Sequence, residues 1–467
     1  MLFNSYEFIF LFLPVTVCVY FLLNRRRLVY AANGWLALAS LFFYSYWDIR
    51  YLPLLLGSIV FNFTVGSLLA KRADQPPQTK RWLLAAGIVG DVALLGYYKY
   101  ADFFIENANA LTNGNIPLLH VVLPLGISFF TFTQIAYLVD SYRGLAKEYN
   151  FINYVLFVTF YPHLIAGPIL HHKEMMPQFA RVTNKAFRYR NVSLGLYWFA
   201  IGLMKKVLIA DQLAPIASHG FDTAPALGFT DAWLTSLAYT FQLYFDFSGY
   251  TDMAIGAALL FNIKLPINFH SPYKSLSIQE FWRRWHMTLS RFLRDYIYIP
   301  LGGNRKGTSR LYVNLMLTFM IGGFWHGAGW TFLLWGALHG AALVIHRLWS
   351  ERGFRLPRLI AWFITFQFVN MAWVFFRATE LEDAWKVLGG MYGLNGIDIL
   401  YRLSAPSVLL TGATIAAAAG LALLFPNTNE LSRSFRPTPW RAAVVAAGIV
   451  AALLHFNRIS EFLYFNF

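Results

Sequence analysis

Uninterrupted apolar runs of about 18 residues or more recur along this chain, and each is long enough to cross a ~30 Å hydrocarbon core as a helix. Only helices and closed barrels satisfy their own backbone hydrogen bonds in lipid. The runs are continuous rather than alternating, which argues against a barrel. Charged residues make up 13% of the chain and hydrophobic ones 57%, against roughly 25% charged in soluble domains. The expected fold is all-α and polytopic, with about 11–13 spanning or re-entrant helices counted by the ~20-residue rule. It is read as one membrane domain over residues 1–467. The first run follows no basic segment and meets no small-residue cleavage site, so it reads as a retained span.

A net charge of +15 would suggest nucleic acid in a soluble protein. Here the basic excess belongs to cytoplasmic loops, so membrane lipids are the partner and no nucleic acid is expected. The single cysteine, Cys18, can form no disulfide within the chain and no Cys-based metal site. It reads as a small buried apolar residue within the first span.

Charge bias orders the spans. Residues 6–24 end at Arg25, Arg26 and Arg27, a cytoplasmic signal that places the N-terminus outside. Spans follow at 28–47, 51–70, 82–98 and 118–139, with a basic, Pro-containing loop at 71–81 and a polar, irregular stretch at 99–117. Asp91, in mid-span, is either a site candidate, as an intramembrane carboxylate is by default, or a helix-pairing group. Residues 151–170 contain Pro162, His163, Gly167 and Pro168 and read as a broken or re-entrant helix. His163 either lines a cavity there or bonds a neighbouring helix. Further runs lie at 191–210, 229–247, 359–376, 406–425 and 441–456, with loops at 211–228 and 377–405. Lys205 and Lys206 are expected to snorkel to the headgroups.

Polar and ionisable residues crowd into 241–346, where a membrane protein places them only at a cost and usually for function. Two basic groups flank an apolar hairpin there: Arg283, Arg284, Arg291, Arg294, Arg305, Lys306 and Arg310, then Arg347, Arg352, Arg355 and Arg358. The outgoing limb, residues 311–325, would span only about 22 Å of helix. Glycines at 322, 323, 327 and 329 permit a break, so His326 is expected at the apex, at mid-depth, with Trp325, Trp330 and Trp335 walling a central channel. A neutral imidazole can take a hydroxyl proton. The alternative is that His326 merely bonds a backbone carbonyl. His286 follows FWRRW and is expected on an amphipathic helix near the cytoplasmic face. Arg283 and Arg284 either anchor at the interface or meet donor phosphates. His339 reads as structural before catalytic. No HExxH, G-x-S-x-G or Walker run occurs, which argues against a zinc protease-type site, a nucleophile elbow and ATP-driven transport.

The runs FDFSGYTDMAIG, EFWRRWHMTLSRFLRDYIYIPLGGN, FWHGAGWTFLLWGALHG and HLIAGPI resemble those of the membrane-bound O-acyltransferase family, especially its bacterial exopolysaccharide-acetylating branch. The resemblance extends from the N-terminal FLFLP to the C-terminal FLYFNF. It implies that His326, the His of WHG, is catalytic and that the counterpart of His286 takes part in activity. It also implies acetyl-CoA as donor, a bacterial inner-membrane location, a periplasmic serine-esterase-like partner, and a polysaccharide synthesis and export complex. An exported glycan such as alginate or cellulose would be acetylated, the chain's length favouring cellulose. A lipid-linked sugar transporter or flippase competes, but it predicts inverted repeats that are not found. A glycan synthase subunit would need a cytosolic domain for which no segment is long enough.

Overall fold

The computed structural model describes residues 1–71, 76–402, 405–456 and 463. The aromatic residues Phe462, Tyr464, Phe465 and Phe467 of the C-terminal FLYFNF run lie outside the described residues, as do residues 72–75 of the basic loop at 71–81. Every regular element among the described residues is helical. Among the described residues, six helices are long and apolar enough to cross a membrane: Glu7–Arg25, Ile49–Lys71, Tyr189–Thr223, Trp330–Glu351, Arg358–Arg377 and Pro406–Leu423. Others fall short in one property. Val29–Ser45 has 17 residues, and Phe229–Leu260, although 32 residues long, is diluted by polar residues such as Gln242, Asp246 and Asp252.

The chain groups into two compact units, residues 1–200 with 250–266, and residues 201–249 with 267–467. In the first, Phe8, Phe12, Phe43 and Tyr161 form an aromatic core; Phe12 meets Tyr161 edge-on at 5.1 Å between ring centroids. Asp91 pairs two helices as expected: the Asn62 amide donates to its Oδ1 at 2.6 Å. Residues 151–170 are broken as expected, into Phe151–Thr159 and the single turn Tyr161–Leu164.

Some boundaries differ from the sequence reading. The span expected at 118–139 is the helix Ile127–Tyr142. Pro124 and Gly126, whose φ is +70°, delay its start. The stretch expected to be irregular before it contains the helix Ala101–Thr112, and Asp102 accepts the N–H groups of Leu119 and His120. The loop expected at 211–228 begins as a helix, because Tyr189–Thr223 is helical for 35 residues. The loop expected at 377–405 holds the helix Leu381–Met391. Cys18 is exposed rather than buried; it lies on the outward face of a spanning helix, where lipid supplies the apolar surroundings the side chain prefers.

In the second unit, the outgoing limb of the hairpin is Thr308–His326, 19 residues and not 15. At 1.5 Å per residue it spans about 28 Å. The return limb, Trp330–Glu351, has 22 residues. The limbs pack directly against each other. A Cβ on Gly323 would strike the Phe332 carbonyl oxygen, and one on Gly336 the Phe319 carbonyl oxygen. Small residues at such crossings let backbones touch.

Candidate active site

His326 is the last residue of the outgoing limb and is 3% exposed. Gly327 follows, where any Cβ would enter the Phe332 ring. Aromatic rings enclose the imidazole: Trp325 at 4.8 Å, Phe376 at 5.0 Å and Trp335 at 5.4 Å between centroids. Phe376 is the penultimate residue of Arg358–Arg377. His326 is therefore level with one end of a full-length span. The limb that carries it is four residues longer than its apolar run.

His286 is not on the face of an amphipathic helix. It is the junction between Ile278–Arg284 and Met287–Leu293, with φ +42°, and it is completely buried. A left-handed non-glycine residue at such a place is strained, and the strain persists only where the surroundings hold it. Asn268 holds it here. The Asn268 carbonyl accepts the Met287 N–H at 3.0 Å, while its side-chain oxygen accepts the Thr288 N–H at 3.2 Å and the Thr288 hydroxyl at 2.9 Å. The same oxygen lies 3.1 Å from His286 Nδ1. A backbone donor fixes that atom as oxygen, so Nδ1 must carry the proton and Nε2 is the basic nitrogen. The two histidine rings are 6.4 Å apart. Sequence order separated His286 from His326 by forty residues and by half a membrane; the fold brings them together.

Beyond His326 the rings continue. Trp335 meets His339 at 4.8 Å, and His339 meets Trp282 at 5.1 Å. The Trp282 indole N–H donates to His339 Nδ1 at 3.2 Å. Trp282 also lines a cavity of about 790 Å³ with Arg283, Arg291, Arg294, His346 and Arg347. Of the expected arginine pair, Arg283 thus faces the cavity. Arg284 is committed elsewhere, to Glu280 at 2.8 Å and to the His270 carbonyl. Trp330 does not wall a buried passage, being 59% exposed at the start of the return limb. His163 belongs to the first unit and bonds the Phe157 carbonyl at 3.0 Å through Nε2.

Sequence reasoning missed Asn268, Trp373, Phe376 and His346, which no local motif marks, and it took Arg347 only as part of a cytoplasmic basic group. It also misread Lys206. This lysine does not snorkel: it is buried, 2.8 Å from Asp211 and 2.6 Å from Asp246.

Residues 43–379 match the model of MBOAT, the membrane-bound O-acyltransferase family. A peptidoglycan O-acetyltransferase of Helicobacter pylori is 54% identical over 444 residues, covering 88% of this chain and 83% of the relative. A protein named as a probable alginate O-acetylase of Pseudomonas putida is 43% identical over 446 residues, covering 94% and 90%. A teichoic acid D-alanyltransferase of Streptococcus thermophilus is 29% identical over 309 residues, covering 58% and 72%. None of these three is named for cellulose, so the expectation of a cellulose acceptor finds no support in them. Family model, helical fold and relatives agree, and the transporter reading falls with them. This chain is a multi-pass membrane enzyme that belongs to the membrane-bound O-acyltransferase family.

Proposed function

We propose that the protein transfers acetyl groups from acetyl-CoA, bound on the cytoplasmic side of the bacterial inner membrane, toward a hydroxyl of an exported glycan. The observation that carries this reading is the pair of buried histidines, 6.4 Å apart, joined by a run of aromatic rings to an arginine-lined cavity. Phosphates of the donor suit Arg283, Arg291, Arg294 and Arg347. His326 takes the proton of the acceptor hydroxyl as its oxygen attacks the thioester carbon. The C–O bond forms, the C–S bond breaks, and the leaving thiolate recovers that proton from the imidazolium. His286 lies next to this centre and orients the reacting groups.

The relatives supply the acceptor class. A hydroxyl of peptidoglycan is the first acceptor to test, because the relative named for it is 54% identical; alginate is the second. A periplasmic serine-esterase-like partner within a synthesis and export complex would complete delivery to the polymer. The test is acetyl-CoA turnover by the purified protein in proteoliposomes, read as free CoA, beside glycan acetyl content in cells. Acetyl-CoA-dependent CoA release that vanishes in His326→Ala is the expected result. Equal release by the wild type and His326→Ala would sink the assignment.

A further inference from the structure

Among the described residues, two buried ring N–H groups of the return limb find no acceptor. Trp335 is 2% exposed and His339 is 0% exposed. They are four residues apart, hence neighbours on one helix face, and their rings are 4.8 Å apart. An indole nitrogen is only ever a donor. The Trp282 N–H points at His339 Nδ1, so Nδ1 must be the acceptor and the neutral imidazole carries its proton on Nε2. Trp282 thereby fixes the tautomer of His339. Among the described residues, neither the His339 Nε2–H nor the Trp335 Nε1–H finds an acceptor. Buried donors are paired in the great majority of cases, and leaving one unmade costs more than the bond itself contributes. Two such donors, side by side and 5.4 Å from the His326 ring measured from Trp335, mark a place for an oxygen atom.

We propose that Trp335 Nε1–H and His339 Nε2–H receive the carbonyl oxygen of the acyl thioester and hold the oxyanion that develops from it. This rests on the acyl-transfer reading above. As the acceptor oxygen bonds to the carbonyl carbon and His326 takes its proton, the carbonyl electron pair moves onto oxygen, between the two N–H groups. When the pair returns, the C–S bond breaks and the thiolate leaves with the proton from His326. Such preorganised donors stabilise charge only where it develops, so they act on kcat before KM.

Replacing the donors without replacing the rings tests this. Trp335→Phe keeps an aromatic ring and removes the N–H; benzothienylalanine at 335 does so with almost no change of shape. Each is expected to lower kcat for acetyl-CoA turnover about 10²-fold at nearly unchanged KM. At 339 the informative comparison is His339→Gln against His339→Phe. Gln offers an N–H near the Nε2 position, whereas Phe restores only the packing. The proposal requires Gln to be the faster enzyme; a merely structural role requires Phe to be. The idea is overturned by wild-type kcat in the benzothienylalanine protein, or by Phe outperforming Gln at 339. Wild-type protein that releases no CoA from acetyl-CoA would instead remove the acyl-transfer reading, and this proposal with it.

Discussion

The buried histidines of the two units are used in opposite ways. In the first unit each is committed to a partner of the fold: His163 to the Phe157 carbonyl, His171 to Asp140 at 3.6 Å, and His172 to Glu148 at 3.4 Å. In the second unit, His339 is tied on one nitrogen only, and His286 and His326 face each other across 6.4 Å. A polar group matched inside the protein contributes to stability. One placed at equal depth beside an unmatched donor gives up about 1–3 kcal/mol unless a ligand completes it. The difference separates histidines that hold the chain together from those that work on something passing through.

Four variants test that contrast. The largest effect is expected at His326: His326→Ala should lower acetyl transfer by ~10²–10⁴-fold or more, and His326→Asn should do no better, since an amide cannot take the proton. Both proteins should insert and purify as the wild type does, and CoA release with polymer acetyl content measures the loss. Lys206→Met is expected to fail differently. It leaves Asp211 and Asp246 buried without their cation, at a cost of about 3–5 kcal/mol. A lowered yield of folded protein and an earlier thermal transition would register it; unchanged stability would mean that the ion cluster is dispensable. His163→Leu should cost about 1–3 kcal/mol by stranding the Phe157 carbonyl, with kcat per folded molecule within about twofold of wild type. A large fall in kcat would move His163 into the class of His326 and erase the contrast.

The smallest effect concerns Glu148, in a loop outside the spans. Burial alone would raise its carboxyl. The hydrogen bonds from His172 and from the Asn150 N–H outweigh that and hold it below the ordinary carboxylate range. A depressed carboxyl contributes stability above its unfolded pKa, and this is lost as pH falls through the folded one. Glu148→Gln should therefore cost about 0.5–1 kcal/mol near neutral pH. The gap to wild type should close on acidification into the carboxylate range. A gap that stays constant with pH would show that the charge of Glu148 is not what matters.

The helical class, the hairpin at WHG, the broken helix around His163 and a helix-pairing role for Asp91, though not its partner Asn62, all follow from apolar length, glycine placement and the cost of a lone intramembrane charge. Lys206 did not follow, because Asp246 lies forty residues away, and Asp211, five residues on, comes beside it only where the helix widens to a π-turn at Lys205–Ala210. His286 was misplaced for another reason. Periodicity assigns a residue to a face of a helix, and here the helix stops at Arg284. Trp373 and Phe376 look like ordinary span residues until their rings are seen beside Trp335 and His326, at 5.7 Å and 5.0 Å. The limb length was underestimated because Thr308, Ser309 and Arg310 are polar, yet still helical.

The left-handed backbone at His286 bears on how this position should be probed. Ordinary side chains pay about 1–2 kcal/mol in that conformation, while Gly and Asn adopt it routinely. Alanine would inherit the strain and lose the bond to Asn268 that offsets it, so a dead His286→Ala enzyme would confound a missing imidazole with a displaced chain. His286→Asn keeps both the backbone preference and an N–H for the Asn268 oxygen, and His286→Gly keeps the backbone alone. Position 286 restricts its occupant by conformation first and by chemistry second, and the alanine scan is the wrong ruler for it.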